Sequence, residues 1–151
     1  MSLFSSEQKP LTHTLNAPDF WTDQKTNWPI PKSDVDNLAY REAILSVTDD
    51  NKEEQTQITE MCRLSPLYWI NTFVWTYNVK MVDDTGREIP AENQHVPFIT
   101  WPVQDDAFEQ LHEAVLNGKD VLIDKSRDMG ASWICLTLAT WAWLFMPNSQ
   151  M

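Results

Sequence analysis

The second half of the chain contains a short apolar stretch, a loop with a glycine and a long apolar run in direct succession. This order constrains the fold more than any other feature. Val121-Leu122-Ile123 predicts a short strand over Asp120–Asp124. The apolar run behind the loop predicts a buried helix over Ser132–Met146, which Pro147 ends. A phosphate-binding loop requires a strand before it and a helix after it, so the order predicts an α/β fold and is compatible with a nucleotide-phosphate site.

The loop, residues 125–132, differs from the common phosphate-loop pattern G-x-x-x-x-G-K-S/T at two positions. Gly130 takes the second glycine position and Ser132 takes the hydroxyl position. Lys125 stands where the first glycine would be, and Ala131 stands where the lysine would be. Lys125 and Arg127 nevertheless keep positive charge in the loop, and a guanidinium suits phosphate oxygens. The spacing by itself leaves two interpretations open, a phosphate site or a solvated turn.

Upstream of the loop, the pattern predicts a mainly helical part behind a proline-rich arm. Residues 1–32 hold four of the nine prolines and predict an extended or flexible arm. Helices are expected from Ser33 or Asp34 to about Val47, from Thr48-Asp-Asp onward, from Ser65-Pro66, and from Gln104 to Asn117-Gly118. The apolar face of the first helix is predicted to be Val35, Leu38, Ala39 and Leu45. Between these helices, a strand is expected over Val79–Val82, a turn over Asp83–Gly86 and an extended segment over Pro97–Trp101.

Charge and composition limit the classes of function. The formal net charge of −11 argues against nucleic-acid binding by this chain alone, because neutralising phosphates requires clustered Lys and Arg. Ala131–Met146 is the only membrane candidate, and its 16 residues fall short of the roughly 20 that a spanning helix needs. Cys62 and Cys135 lie in apolar helical patterns, which predicts buried free thiols and an intracellular protein.

Three segments of the chain resemble one family. Asp124-Lys-Ser-Arg-Asp-Met-Gly-Ala-Ser-Trp133 resembles the altered Walker A segment of the large terminase subunit, the DNA-packaging ATPase of tailed bacteriophages. Leu67–Tyr77 is similar to the aromatic helix that precedes the ATPase core in that family. Pro97–Leu111 resembles the family's adenine-side segment, P-F-x-x-x-P-x-Q-x-x-x-x-x-x-L. The resemblance covers about residues 60–147 and is most specific at the loop.

The resemblance implies a fold and a set of ligand contacts. The fold would be an incomplete P-loop NTPase domain (ASCE, RecA-like), with a helical part over 33–96 and strand, P-loop and helix within 97–151. Gln104 would contact adenine, since an amide both donates and accepts. ATP phosphates would contact the loop, and the Ser132 hydroxyl would reach Mg²⁺. The implied cofactor-binding residues are Gln104, Lys125, Ser126, Arg127, Asp128, Met129, Gly130, Ala131 and Ser132.

The resemblance also implies a setting for the intact protein. It would package double-stranded DNA into a capsid in the cytoplasm of a bacterial host, together with the small terminase subunit and the portal protein. The family's Walker B carboxylates and nuclease carboxylates follow well downstream of the loop and are expected beyond Met151. Catalytic residues are therefore not assigned, and weak or no ATP turnover is expected of this chain alone. Two alternatives remain open: a fragment of a helicase-like P-loop ATPase, and a non-enzymatic interaction protein.

Overall fold

A computed structural model describes residues 20–77, 83, 85–90, 94–125 and 130–146. Within these residues the chain forms a mixed α/β arrangement of five helices and two small antiparallel sheets, which confirms the predicted α/β class at this coarse level. The elements are β1 Phe20–Thr22, β2 Pro29–Pro31, α1 Asp34–Thr48, α2 Lys52–Leu64, α3 Pro66–Phe73, β3 Trp75–Tyr77, β4 His95–Pro97, α4 Pro102–Leu116 and α5 Ala131–Phe145. β1 pairs with β2, and β3 pairs with β4.

Local capping signals predicted most helix ends correctly. The Ser33 hydroxyl accepts from Asp36 N and begins α1, and the Ser65 hydroxyl accepts from Tyr68 N and begins α3. α4 ends at Leu116 with Asn117 as its C-cap, in agreement with the end predicted at Asn117-Gly118. These ends depend on residues only a few positions apart, so the sequence contains the information that determines them.

The predicted start of α2 was wrong. The helix begins at Lys52 rather than at Thr48-Asp-Asp, because the Asn51 side chain accepts from the backbone N–H groups of Glu53 and Glu54. Asp50 has a φ of 56°, which separates α1 from α2. Asn51 therefore caps α2, and the acidic pair Asp49-Asp50 precedes the helix.

The predicted apolar face of α1 was also wrong. Its four residues Val35, Leu38, Ala39 and Leu45 are exposed, whereas Asn37, Tyr40, Arg41 and Ile44 are buried. Arg41 donates to the backbone carbonyls of Val74, at 2.9 Å, and Asn71, at 3.0 Å. The carbonyls at a helix C-terminus lack partners inside the helix. α1 therefore turns a polar side chain inward to satisfy the end of α3.

The β1–β2 hairpin is fixed to the start of α3. Asp23 accepts from the backbone and hydroxyl of Thr26 inside the hairpin, and from the Ser65 hydroxyl at 2.6 Å. The part of the predicted arm that the structure describes is therefore extended and held against the helices. Residues 1–19 of that arm lie outside the described part.

Two apolar clusters form the core of the described chain. One contains Leu67, Ile70, Phe98, Phe108, Ile134, Leu138 and Trp141, and the other contains Ile30, Tyr40, Ile44, Ile58, Cys62 and Tyr68. Trp21, Trp69 and Phe145 pack against both clusters. The indole of Trp141 donates to the carbonyl of Cys62 at 2.7 Å, which joins α5 to the end of α2. α3 thus lies between the N-terminal helices and the α4–α5 pair.

The predicted strand over Asp120–Asp124 is absent from the structure. Residues 120–125 have no regular secondary structure, and Leu122 is 95% exposed. An apolar strand of this kind is stable when neighbouring strands cover its edges and faces. The described residues supply no strand next to it, so the apolar pattern alone does not produce a strand here.

α5 lies within one residue of its predicted bounds, but it is not buried on all sides. Ile134, Thr137, Leu138 and Trp141 face the core, while Trp133, Leu136, Trp143 and Leu144 are exposed. Cys135 is exposed as well, contrary to the prediction, and Cys62 is buried as predicted. Only one side of α5 packs against α3 and α4, so the described fold leaves several apolar side chains of α5 exposed.

The remaining predictions concern the connection between β3 and α4. The turn is present where expected, with Gly86 N donating to Asp83 O at 2.9 Å and a φ of 78° at Gly86. The strand predicted over Val79–Val82 lies outside the described residues. The extended segment includes β4, which begins at His95, and continues to an extended Trp101. Among the helices that the structure describes, none has the length and apolarity to cross a membrane.

Candidate nucleotide site

Gln104 lies in the first turn of α4, where its side chain contacts both the helix start and Gly130. Its Oε1 accepts from the backbone N–H of Trp101 at 3.0 Å, which caps the helix. Its Nε2 points at Gly130, so closely that a Cβ on Gly130 would lie 2.7 Å away. The fold therefore brings the predicted adenine-side glutamine into contact with the predicted phosphate loop.

Gly130 is the residue from which α5 starts. Its φ of 72° is in the left-handed region, and its carbonyl accepts from Ile134 N at 3.0 Å. Glycine adopts this backbone conformation at little cost, and any side chain would also collide with Gln104. The N–H groups of a first helical turn have no partner within the helix and favour anions. Gly130 therefore sets the direction in which α5 begins, and Ala131 and Ser132 belong to the first turn of that helix.

Two neighbouring cavities meet at this point. The first has a volume of about 550 Å³, and aromatic and proline side chains form much of its wall. Gln104, Lys32 and Asp105 supply polar groups to it. The second has a volume of about 650 Å³ and is lined by Thr76, Tyr77, Val96, Trp101, Lys125, Gly130, Ala131, Ser132 and Trp133. Thr76, Trp101, Gly130 and Trp133 line both cavities.

The structure brings together those predicted site residues that it describes. Gln104 and Gly130 line the first cavity, and Lys125, Gly130, Ala131 and Ser132 line the second. Ser126, Arg127, Asp128 and Met129 lie outside the described residues. A larger groove of about 940 Å³ beside α1 contains none of the predicted site residues.

A polar network in the wall of the first cavity was not predicted from the sequence. The Asn71 side chain accepts from Thr100 N at 3.0 Å and donates to Thr100 Oγ1 at 2.8 Å. The Thr100 hydroxyl also contacts the Asp105 carboxylate. Lys32 Nζ lies 3.0 Å from Asn71 Oδ1, 2.8 Å from Thr100 Oγ1 and 3.2 Å from Asp105 Oδ1. The only sequence signal for the network was a polar Asn71 inside the apolar helix pattern of α3.

Burial acts against both charges of this network. Desolvation lowers the pKa of Lys32, and the nearby Asp105 carboxylate opposes that change. Desolvation likewise raises the pKa of Asp105, while Lys32 and the Thr100 hydroxyl oppose it. Each charge is therefore stabilised mainly by its partner, since an unpaired buried charge is costly.

A metal site and known relatives were both sought for this geometry. Within the described part of the chain, no three His, Cys, Asp or Glu side chains converge in a way that would hold a metal ion. Comparisons with protein-family models, curated proteins and solved structures found no match to the chain.

Proposed function

We propose that this chain is the ATP-binding, N-terminal part of a phage large terminase subunit. Its finer fold would then be the start of a P-loop NTPase domain, with the adenine side at Gln104 and the phosphate side at residues 125–132. ATP and Mg²⁺ would be its cofactors, with the Ser132 hydroxyl as one metal ligand. The intact protein would act with the small terminase subunit, the portal protein and double-stranded DNA.

The contact between Gln104 and Gly130 is the observation that carries this proposal. The two residues belong to different sequence motifs, 26 positions apart, and each motif alone has a structural explanation. Gln104 caps α4, and Gly130 permits the turn into α5. An adenine nucleotide requires a base contact and a phosphate contact within one ligand's length. The contact between Gln104 and Gly130 puts the two motifs within that distance.

The two cavities support the same proposal through their chemistry. The first has Trp21, Trp101 and Trp133 in its wall beside polar groups, and planar bases bind well against aromatic surfaces. The second combines Lys125 with the start of α5, a combination that favours phosphate oxygens. Trp101 and Trp133 line both, so one nucleotide would extend along them from one cavity into the other.

Calorimetric titration with MgATP tests the proposal directly. We expect the double variant Lys125→Met/Arg127→Met to bind MgATP at least tenfold more weakly, a change of about 1.4 kcal/mol in binding free energy. Lys119→Met is the matched control, because Lys119 is an exposed lysine after α4 that lines neither cavity. Equal affinity of the wild type and the double variant would contradict the phosphate role of the loop.

The exposed apolar residues favour a second candidate, a non-enzymatic interaction protein. Leu122, Leu136 and Trp143 are all exposed, and large exposed apolar surfaces commonly mark interaction sites. In that case the loop would be a turn and the chain would bind a protein rather than a nucleotide. The absence of any MgATP binding by the wild type, in the titration above, would favour this candidate.

A further inference from the structure

Lys32 is a partly buried lysine of the predicted N-terminal arm, and the sequence pattern assigns it no role. It follows β2 directly, and its side chain is 18% exposed. Its ammonium lies 4.6 Å from the ring centre of Trp21, another residue of the first cavity. A lysine at the surface would keep its ammonium in water, so this position requires a specific explanation.

The contacts of Lys32 bracket the turn that carries Gln104. On one side, the ammonium donates to the carbonyl of Thr100 at 3.0 Å and to its hydroxyl at 2.8 Å. On the other side, it pairs with both oxygens of Asp105, at 3.2 and 3.3 Å. Trp101 and Gln104 lie between these two attachment points. Lys32 therefore joins the end of the hairpin to the first turn of α4.

We propose that Lys32 is a positioning residue of the nucleotide site, which holds Thr100 and Asp105 so that the Gln104 amide meets the adenine edge. The inference rests on the proposed function and adds the N-terminal hairpin to the site. Lys32 itself does not bind the base, because its ammonium is already occupied by Asn71, Thr100 and Asp105. Its effect would appear in the choice of base rather than in phosphate affinity.

The test measures the ratio of GTP to ATP dissociation constants by calorimetry. We expect the wild type to prefer ATP, and Gln104→Ala to lose that preference. Lys32→Met should reduce the preference about tenfold, and Lys32→Met/Gln104→Ala should show no further loss, because coupled residues are not additive. Lys25→Met is the matched control: it breaks an ion pair of the same hairpin with Glu109 and should leave the ratio unchanged.

A second variant covers a failure of Lys32→Met to fold. Lys32→Met leaves Asp105 buried without its partner, whereas Lys32→Met/Asp105→Asn removes both charges and avoids that cost. The inference expects this neutral variant to lose the preference for ATP as well. Full retention of the ratio in a folded Lys32 variant, while Gln104→Ala loses it, would overturn the inference and leave the proposed function intact. A wild type that binds neither nucleotide would overturn both.

Discussion

The side-chain amide of Gln104 lies directly against Gly130, at a distance that leaves no room for a Cβ on the glycine. The Gln104 side chain is held in place, since its oxygen accepts from Trp101 N and the residue is only 5% exposed. Gly130 in turn has a φ of 72°. The starts of α4 and α5 therefore pack closely, because the Gln104 amide occupies the space that a side chain at position 130 would need.

Gly130→Ala should therefore destabilise the chain by more than backbone strain alone. A left-handed alanine costs about 1–2 kcal/mol, and the new Cβ would also push Gln104 Nε2 from its place, 2.7 Å away. We expect a total loss of about 2–3 kcal/mol in the free energy of unfolding, measured by urea denaturation.

Gly118→Ala provides the control for this variant. Gly118 has a φ of 60°, and a Cβ there would meet nothing within 4 Å, so only the strain remains. The excess loss of Gly130→Ala over Gly118→Ala should disappear when Gln104 is replaced by alanine. If both glycine variants lose the same stability, the close contact with Gln104 has no energetic weight.

The buried face of α5 gives a second prediction, with a matched pair of leucines. Leu138 is 5% exposed and packs in the core, whereas Leu136 is 63% exposed on the same helix. Leu138→Ala should cost about 2–4 kcal/mol of unfolding free energy, and Leu136→Ala less than about 0.5 kcal/mol. Comparable losses in the two variants would mean that another element covers Leu136.

These faces show where prediction from the sequence reached its limit. α5 is apolar nearly all round, so the sequence predicts the helix but not its buried side. In α1 the prediction chose Leu38 and Leu45, while the fold buries Arg41 against the carbonyls at the end of α3. Helix ends follow from local caps, whereas faces depend on partners far along the chain.

The residues of the candidate site likewise include some that local patterns predicted and others that they missed. Gln104 and Gly130 were predicted, because each belongs to a motif of nearby residues. Lys32 and Asn71 were missed, since their contacts in the network join positions 29 apart or more, and no spacing rule connects them. The missing strand over Asp120–Asp124 has the same origin: strand pairing depends on neighbours that a local pattern does not contain.

His112 gives a prediction about pH. Burial, together with the nearby Lys25 ammonium, lowers the pKa of His112 to about 4. Lys25 Nζ lies 2.7 Å from His112 Nδ1, so the ring accepts there and is neutral in the folded chain. Glu113 opposes the shift, and Glu109 pairs with Lys25 at 2.8 Å. The folded chain thus excludes a proton that the unfolded chain binds near pH 6.5.

The stability contributed by the neutral ring is therefore complete above about pH 6.5 and is lost as the pH falls from there toward 4. Between pH 7 and pH 4.5 the free energy of unfolding should fall by about 1 kcal/mol more for the wild type than for His112→Phe. This loss is smaller than the full pKa shift implies, because water screens the charge of Lys25. Phenylalanine keeps the edge-to-face contact with Trp141, whose ring centre lies 4.7 Å from that of His112. His95→Phe replaces an exposed histidine and is the matched control. Identical pH profiles for the wild type and His112→Phe would show that the imidazole binds its proton at the same pH in the folded and the unfolded chain, which would contradict the lowered pKa.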